Sequence, residues 1–228
     1  ATPLTTREAP RRAESSTPPP RIGSLIVTVW GDAVAPRGGS LWLGTLQAIL
    51  DRFGCNPGQV RTAMSRLTEE GWLARNRLGR LSYYRLGPRG AASFDAAAAR
   101  IYATRAPGWD GAFRLVALAG AAEREALAAQ GFSEFGGLLI GHAGLPEALP
   151  LSAAVLVATP RSAAEARAVA AAAWPLATLA AGYGRFREAF APLQDAAIPT
   201  EEALPLRLLL IHEWRRLVLR DPQLPAAL

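Results

Sequence analysis

Apolar residues recur every three to four positions in two stretches near the start of the chain, a period that predicts amphipathic helices. The first predicted helix runs from Leu41 to Phe53. Ser40 stands just before it and is a good N-cap residue, and Gly54 follows as a helix terminator. We therefore expect one helix here whose leucine and isoleucine stripe packs against a core.

The second predicted helix covers residues 57–70 and has two unlike faces. An asparagine followed by a proline begins it, and a glycine ends it. At 3.6 residues per turn, its apolar residues fall in one arc: Val60, Ala63, Met64 and Leu67. The opposite arc is polar: Arg61, Thr62, Ser65, Arg66 and Glu69. One face therefore packs, and the other is left for solvent or a partner.

A basic hairpin follows. Two short alternating segments, 72–77 and 81–86, flank a glycine turn at 78–80, which predicts two antiparallel strands. The tip and flanks of the hairpin carry four arginines: Arg75, Arg77, Arg80 and Arg85. Helix, loop, helix, glycine and basic hairpin is the order of a winged helix-turn-helix, which we place at 22–89. An alanine-rich helix over 91–104 leads away, within a linker at 90–107.

Residues 24–34 fit two structures. The β-branched run Ile26–Val29 has strand propensity, whereas the spacing of Leu25 and Val29 also allows a short helix. Residues 1–21 are rich in Thr, Ser, Pro and Arg, which predicts a disordered tail.

The second half alternates strands and helices. Strands are predicted at 109–120 and 153–158, helices at 123–130 and 162–173, and a strand or hairpin at 132–142. Ser162 and Glu165 have capping-box spacing at the start of the second helix. The order β-α-β-β-α predicts a ferredoxin-like domain at 108–180. Residues 181–228 are helical again, so the predicted class is α+β.

Charge is unevenly distributed. Residues 1–105 carry 15 arginines against 7 acidic residues, whereas 106–228 carry 10 against 12, and the chain has no lysine. A basic half joined to a mildly acidic half indicates that one part meets a polyanion. High-GC codon usage is an alternative explanation for the absence of lysine, although it does not account for the asymmetry.

Several classes of protein are disfavoured. A single cysteine, Cys55, excludes an intramolecular disulfide and a cysteine-cluster zinc site. No apolar run reaches the ~18–20 residues that span a bilayer, and the N-terminus does not resemble a signal peptide, so we expect a cytoplasmic location. The usual catalytic motifs are missing. We predict no catalytic residues, no metal and no cofactor.

The polar face of the 57–70 helix and the arginine hairpin are typical of a DNA-binding surface. The major groove admits one helix, arginine reads guanine, and hydroxyls suit phosphate oxygens. Hairpin arginines suit a minor groove or the backbone. The residues predicted to contact DNA are Arg37, Arg61, Thr62, Ser65, Arg66, Arg75, Arg77, Arg80 and Tyr83. The alternative is the solvated face of a winged helix that binds protein.

Other polar residues have competing interpretations. Asp110, before a predicted strand, is either a metal ligand of a nuclease or part of a turn or ion pair, and the second is favoured. His142 is either solvated in a loop or touches a ligand. Arg185 and Arg187 serve either an acyl-CoA phosphate or a contact between domains. His212 and Trp214 lie among apolar residues, where packing is the first interpretation and a ligand pocket the second.

Long motifs along 22–228 resemble the PaaX family, bacterial repressors of phenylacetic acid degradation. They occur in the same order as in the family: SLIVTVWGDAVAPRGG at 24–39, VRTAMSRL at 60–67, EGWL at 70–73, GRLSYYRL at 79–86, WDG at 109–111, HEWRR at 212–216 and RDPQLP at 220–225.

The resemblance implies a winged helix, a Cas2-like ferredoxin middle domain and a helical C-terminal effector and dimerisation domain. It implies that 24–34 is the first helix of the winged domain. It further implies a homodimer on a palindromic DNA operator, released by an aryl-CoA thioester such as phenylacetyl-CoA. The effector residues expected on this basis are His142, Arg185, Arg187, His212 and Trp214. A metal-dependent nuclease built on the middle domain is the alternative function.

Overall fold

The computed structural model describes residues 21–103, 108–117, 120–142 and 153–228. The predicted tail therefore lies outside the described residues except for Arg21. The described residues fall into two compact units. One contains the residues up to Tyr102 together with Tyr183–Arg216, and the other contains those of Ala103–Gly182 together with Leu217–Leu228.

The first unit opens with a helix, as the family resemblance implies and against the local strand propensity. Helix α1 spans Ile22–Thr28, continues as a π-helical stretch at Val29–Val34 and ends in a 3₁₀ turn at Ala35–Arg37. Leu25, Ile26, Val29 and Trp30 are all buried in one apolar cluster. Packing on this cluster outweighs the β-branched residues' local preference, since propensity is a weak prior.

The helix predicted from Leu41 begins later than expected. Residues Ser40–Trp42 form strand β1, and helix α2 spans Leu43–Asp51. Ser40 is not an N-cap, because β1 pairs with a strand more than 40 residues later, with Ser40 opposite Arg85. No periodicity in the local sequence reports such a long-range pairing.

Helix α3 spans Pro57–Glu69 and confirms its predicted start. The Asn56 side chain accepts a hydrogen bond from the Gln59 amide at 2.9 Å, and the Gln59 side chain accepts one from the Asn56 amide at 3.1 Å. This reciprocal capping box satisfies two of the amides that a helix start leaves unpaired. The inner face of α3 is buried through Val60, Met64 and Leu67.

The predicted hairpin is also confirmed. Strand β2 spans Leu73–Leu78 and β3 spans Leu81–Leu86, joined by a two-residue turn in which Gly79 has φ +60°. They form a three-stranded antiparallel sheet in the order β1-β3-β2. Helix α4 then spans Pro88–Ile101.

The C-terminal helices bring distant residues into the first unit. Helix α7 spans Leu176–Phe190, followed by a 3₁₀ turn at Ala191–Leu193, and helix α8 spans Thr200–Val218. Leu208 of α8 is fully buried in the same apolar cluster as α1 and α3. The core under α3 is therefore built from both ends of the described chain.

The second unit contains a four-stranded antiparallel sheet and two helices. Its elements are β4 (Phe113–Ala117), α5 (Ala121–Ala128), β5 (Ser133–Phe135), β6 (Leu138–Gly141), β7 (Ala154–Ala158) and α6 (Ala163–Ala173). The sheet order is β5-β6-β4-β7. The segment 132–142 is thus a hairpin, and the two sheets with their helices confirm the α+β class.

Only half of the capping box predicted at Ser162 forms. Its side chain accepts a hydrogen bond from the Glu165 amide at 3.2 Å. The Glu165 carboxylate instead accepts from the amide of Arg161 at 2.6 Å and pairs with the Arg161 guanidinium. The charged neighbour one position earlier draws the carboxylate away from the N-cap amide.

We expect Leu208→Ala to lower the free energy of unfolding by about 2–5 kcal/mol, because it removes a fully buried side chain from the shared core. The matched control is Leu204→Ala, one turn earlier on α8 and 40% exposed, with an expected loss under about 1 kcal/mol. Urea unfolding followed by circular dichroism measures both. Equal losses would contradict the assignment of α8 to the core under α3.

Candidate nucleic-acid interface

The outward face of α3 carries the four residues of this helix that were predicted to contact DNA. Arg61, Thr62, Ser65 and Arg66 are all exposed, on the side opposite the buried stripe. A rigid, capped helix thus presents two guanidinium groups and two hydroxyls to solvent.

Three of these four side chains have local partners on α3 or at its end. The Thr62 hydroxyl donates to the Gly58 carbonyl at 3.1 Å, and the Ser65 hydroxyl donates to Glu69 Oε1 at 2.9 Å. Arg66 Nε lies 3.2 Å from a carboxylate oxygen of Glu70. An exposed pair of this kind contributes at most about 1 kcal/mol, so a phosphate can replace the carboxylate at little cost. Arg61 makes no ion pair with any described residue.

The hairpin beside α3 carries exposed arginines and no acidic residue. Arg75, Arg77, Arg80 and Arg85 are exposed along 73–86. Arg75 donates from Nε and Nη2 to the Ser82 hydroxyl, at 3.1 and 2.7 Å. This bond fixes the Arg75 guanidinium against the opposite strand.

Helix and hairpin enclose a groove of about 330 Å³. Its lining includes Arg61 and Ser65 from α3 and Arg75 from β2. Glu69 is the acidic residue in that lining. The groove therefore brings together three members of the predicted DNA-binding set, two from the helix and one from the hairpin.

The other six members of the predicted set are not in the groove lining: Arg37, Thr62, Arg66, Arg77, Arg80 and Tyr83. Arg37 is exposed, and its Nη1 donates to the carbonyls of Asp32 and Ala33 at 3.3 and 3.0 Å, which caps the end of the first helical segment. Tyr83 is half-buried on β3, opposite Asn76 and Trp42 in the sheet register. Their contact with DNA stays a prediction.

The five predicted effector residues are distributed over both units. His142 belongs to the second unit, and the other four belong to the first. Arg185 and Arg187 are exposed on α7, but two positions apart on a helix they point to different sides. The structure therefore does not direct Arg185 and Arg187 at one point on α7.

Trp214 is held by an aromatic group and one hydrogen bond. Its ring centroid lies 5.9 Å from that of Tyr183 and 5.6 Å from that of Phe186. Its Nε1 donates to the Ile101 carbonyl at 2.8 Å. These contacts join α7 and α8 to the end of α4, as the packing interpretation predicts.

His212 is buried in a polar contact between α8 and α1. Its Nδ1 lies 3.0 Å from the Thr28 hydroxyl, whose single proton is donated to the Ser24 carbonyl at 3.1 Å. Arg215 donates to both the Thr28 hydroxyl and the Ser24 carbonyl, at 2.9 and 3.0 Å. Burial, with further contributions from Arg215 and Arg216, lowers the pKa of His212 to about 3. The imidazole is therefore neutral at physiological pH.

His142 is buried, so the expectation of a solvated loop histidine is wrong. Its Nε2 lies 2.7 Å from the Pro222 carbonyl oxygen, and its ring packs edge-on against Trp174 with centroids 6.2 Å apart. Gly141 and Gly144 suggested an open loop, and the local sequence does not predict a contact with Pro222, which lies 80 positions later.

Asp110 confirms the ion-pair interpretation. Arg114 donates from Nη1 to Oδ1 at 2.8 Å and also pairs with Oδ2, and the Ala112 amide donates to Oδ1 at 3.1 Å. The hydrogen bond from Arg114, followed by that from Ala112, lowers the pKa of Asp110 to about 2. Among the residues that the structure describes, no group of three or more potential metal ligands occurs.

The sequence did not predict the ion pair between the buried Asp32 carboxylate and Arg207 in the first unit. The Asp32 carboxylate accepts two hydrogen bonds from Arg207, both at 2.7 Å, and one from the Tyr102 hydroxyl at 3.0 Å. Its side chain is 1% exposed. The available signal was an acidic residue within the apolar run at 24–34. Its partners lie 70 and 175 positions away, and no spacing rule connects them.

Comparisons with known proteins decide the family. A family model described as PaaX-like protein matches residues 21–90, and one described as PaaX-like protein C-terminal domain matches 174–228. The transcriptional repressor PaaX of Escherichia coli (strain K12) is 35% identical over 232 aligned positions, which cover 90% of this chain and 73% of that protein. The chain belongs to the PaaX family.

The prediction of a PaaX-family transcriptional repressor rather than an enzyme is confirmed by this match. The PaaX-like family models cover the stretch that holds α3 and the hairpin, and the stretch that holds α8. No helix in the described part of the chain has the length and apolar character needed to cross a membrane.

We expect acidification to destabilise the protein through His212. The pKa of His212 is the ordinary 6.5 in the unfolded chain and about 3 in the folded protein. Between these two pH values the imidazole therefore binds a proton in the unfolded chain but not in the folded protein. This contribution is complete above pH 6.5 and declines as the pH falls, by about 2 kcal/mol between pH 7 and pH 5. Urea titrations of the wild type and His212→Gln at both pH values measure it. An equal pH dependence in the two proteins would exclude His212 as the cause.

Proposed function

We propose that this PaaX-family repressor binds double-stranded DNA through residues 22–89, folded as a winged helix-turn-helix. In this arrangement α3 is the recognition helix and the β2–β3 hairpin is the wing. The observation that supports it most directly is the exposed Arg61–Arg66 face of α3 beside a hairpin of four exposed arginines. Between α3 and the end of β3, the only acidic residues are Glu69 and Glu70, so the field over this surface is positive.

The two parts of the surface have different tasks. Arg61, Thr62, Ser65 and Arg66 supply sequence choice in the major groove, where guanine presents two acceptors to a guanidinium. Arg75, Arg77 and Arg80 supply affinity by neutralising phosphates and releasing counterions. Arg37 and Tyr83 complete the predicted contact set at the flanks.

We further propose that the repressor is a cytoplasmic homodimer on a palindromic operator. The two-fold symmetry of such DNA matches two identical recognition helices. The second unit is the ferredoxin-like, Cas2-like domain of this dimer. Its sheet order supports that fold: β4, α5 and β5 form a βαβ unit, and β6 lies between β4 and β5 in the sheet, as in a split βαβ arrangement. Residues 181–228 supply effector binding and dimerisation.

The effector in this proposal is an aryl-CoA thioester, with phenylacetyl-CoA as the first candidate, and no cofactor is required. A ligand releases DNA only if it binds one conformation better than the other. The contacts of His212, Arg215 and Arg207 with the first helical segment support a route for this coupling, since displacement of α8 moves the residues that pack under α3. His142, Arg185, Arg187 and Trp214 are the other proposed effector contacts.

We expect Arg61→Ala to weaken binding to a duplex from the region upstream of this protein's own gene by about tenfold, with little change in the affinity for a random duplex.

Arg80→Ala should weaken binding to both the upstream and the random duplex and reduce the slope of log K against log salt by about 1. Fluorescence anisotropy at several salt concentrations measures these effects.

Arg167→Ala is the matched control, because it removes the same charge from an exposed position on α6. A base-reading role for Arg61 is rejected if both duplexes lose affinity equally. A phosphate contact by Arg80 is rejected if its variant keeps the wild-type salt slope.

We expect phenylacetyl-CoA to release the wild-type protein from the upstream duplex, while free coenzyme A and phenylacetate leave it bound. Anisotropy at fixed protein and increasing ligand measures release. Tight binding that no aryl-CoA thioester reverses would refute the effector proposal and leave DNA binding intact. Absence of DNA binding at low salt would refute the proposal as a whole.

A further inference from the structure

Two leucines stand exposed at the tip of the β2–β3 hairpin. Leu78 and Leu81 are the last paired residues before the Gly79–Arg80 turn, and the register places them directly opposite each other. They are 67% and 42% exposed, so neither packs into the apolar core of the first unit. Side chains alternate along a strand, so this pair lies on the face opposite Arg75 and Arg77.

A single exposed leucine needs no explanation, but an opposed pair at a hairpin tip does. The residues around this pair are cationic: Arg77 precedes it, Arg80 lies within the turn, and 73–86 contain no acidic residue. The tip therefore combines an apolar side, a cationic side and a cation at its apex. This combination suits a surface that is both anionic and lined with hydrocarbon.

We propose that Leu78 and Leu81 enter the minor groove of the operator and pack against its deoxyribose walls, while Arg80 in the turn contacts the phosphates that border the groove. The inference rests on the proposed DNA-binding function and adds apolar contacts to a wing that otherwise touches phosphates. A minor groove about 6 Å wide excludes a whole β-ribbon but admits side chains from its tip. Apolar wedges of this kind open a base step and bend the duplex.

The proposal has a consequence for sequence choice. Bending is least costly at flexible pyrimidine–purine steps, and a narrow A·T-rich minor groove attracts arginine. The wing therefore favours T·A-rich steps at its contact point, without hydrogen bonds to individual bases. Charge complementarity favours DNA over a protein partner for this tip, because hairpin positions 73–86 hold four arginines and no acid.

The test is the double variant Leu78→Ser, Leu81→Ser, compared with Leu78→Met, Leu81→Met, which keeps the apolar character. On the upstream duplex we expect the serine variant to bind about tenfold more weakly than wild type. Its salt slope should equal that of wild type, because no phosphate contact is lost, and the methionine variant should retain most of the affinity. Energy transfer between dyes at the two duplex ends should show less bending with the serine variant.

A second duplex, with 2,6-diaminopurine in place of adenine, adds an amino group to the minor groove and leaves the major-groove acceptors and donors of adenine unchanged. Wild type should lose affinity on this duplex, and the serine variant should lose less. Leu204→Ser, on the exposed side of α8, is the control for loss of a surface leucine.

The outcomes separate this inference from the proposed function. If wild type binds neither duplex, the DNA-binding function itself fails. If wild type binds and bends DNA and the serine variant does so equally, the minor-groove role of the leucines is wrong while the function stands. If the serine variant binds DNA normally but changes the oligomeric state on size-exclusion chromatography with light scattering, the pair serves a protein contact and the inference is overturned.

Discussion

Burial of the Asp32 carboxylate constrains the first unit more than any other single feature. A charge taken out of water is stabilised only by partners that meet it at good geometry, and removing one partner of a buried pair costs about 3–5 kcal/mol. Here the partners are Arg207 and Tyr102, from two other segments of the chain. Arg207 remains half exposed, which places this pair towards the lower end of that range. Three segments must therefore assemble correctly before the carboxylate is satisfied.

The polar contacts of Asp32 and of Thr28 hold the same two elements together. Both join α8 to the first helical segment, and Leu208 of α8 fills the apolar cluster that also contains Val60 and Met64 of α3. The arginine-bearing face of α3 thus depends on packing supplied by the C-terminal helix. Trp214 extends the same support to α4 through its bond to the Ile101 carbonyl.

The elements that the sequence predicted well are those fixed by neighbouring residues. Asn56, Pro57 and Gln59 determine the start of α3 within four positions, and Gly79 determines the hairpin turn. The outward Arg, Thr and Ser residues of α3 followed from helical periodicity alone, so this part of the candidate site was predictable.

The errors share a physical cause, which is pairing across large separations. Ser40 joins a strand because Arg85 lies opposite it, and His142 is buried because the Pro222 carbonyl meets its ring. Local propensity carries no information about either partner. The helical state of 24–34 was predictable only from the family resemblance, because its β-branched residues favour a strand and only burial reverses that preference.

The separation of 175 positions between Asp32 and Arg207 also orders events during synthesis of the chain. A ribosome adds about 5–20 residues per second, so α1 emerges roughly 10–35 s before α8. During that interval the nascent cluster under α3 lacks Leu208 and the carboxylate lacks its guanidinium. The core under α3 is therefore complete only after α8 has been translated, so α3 reaches its final packing late in synthesis.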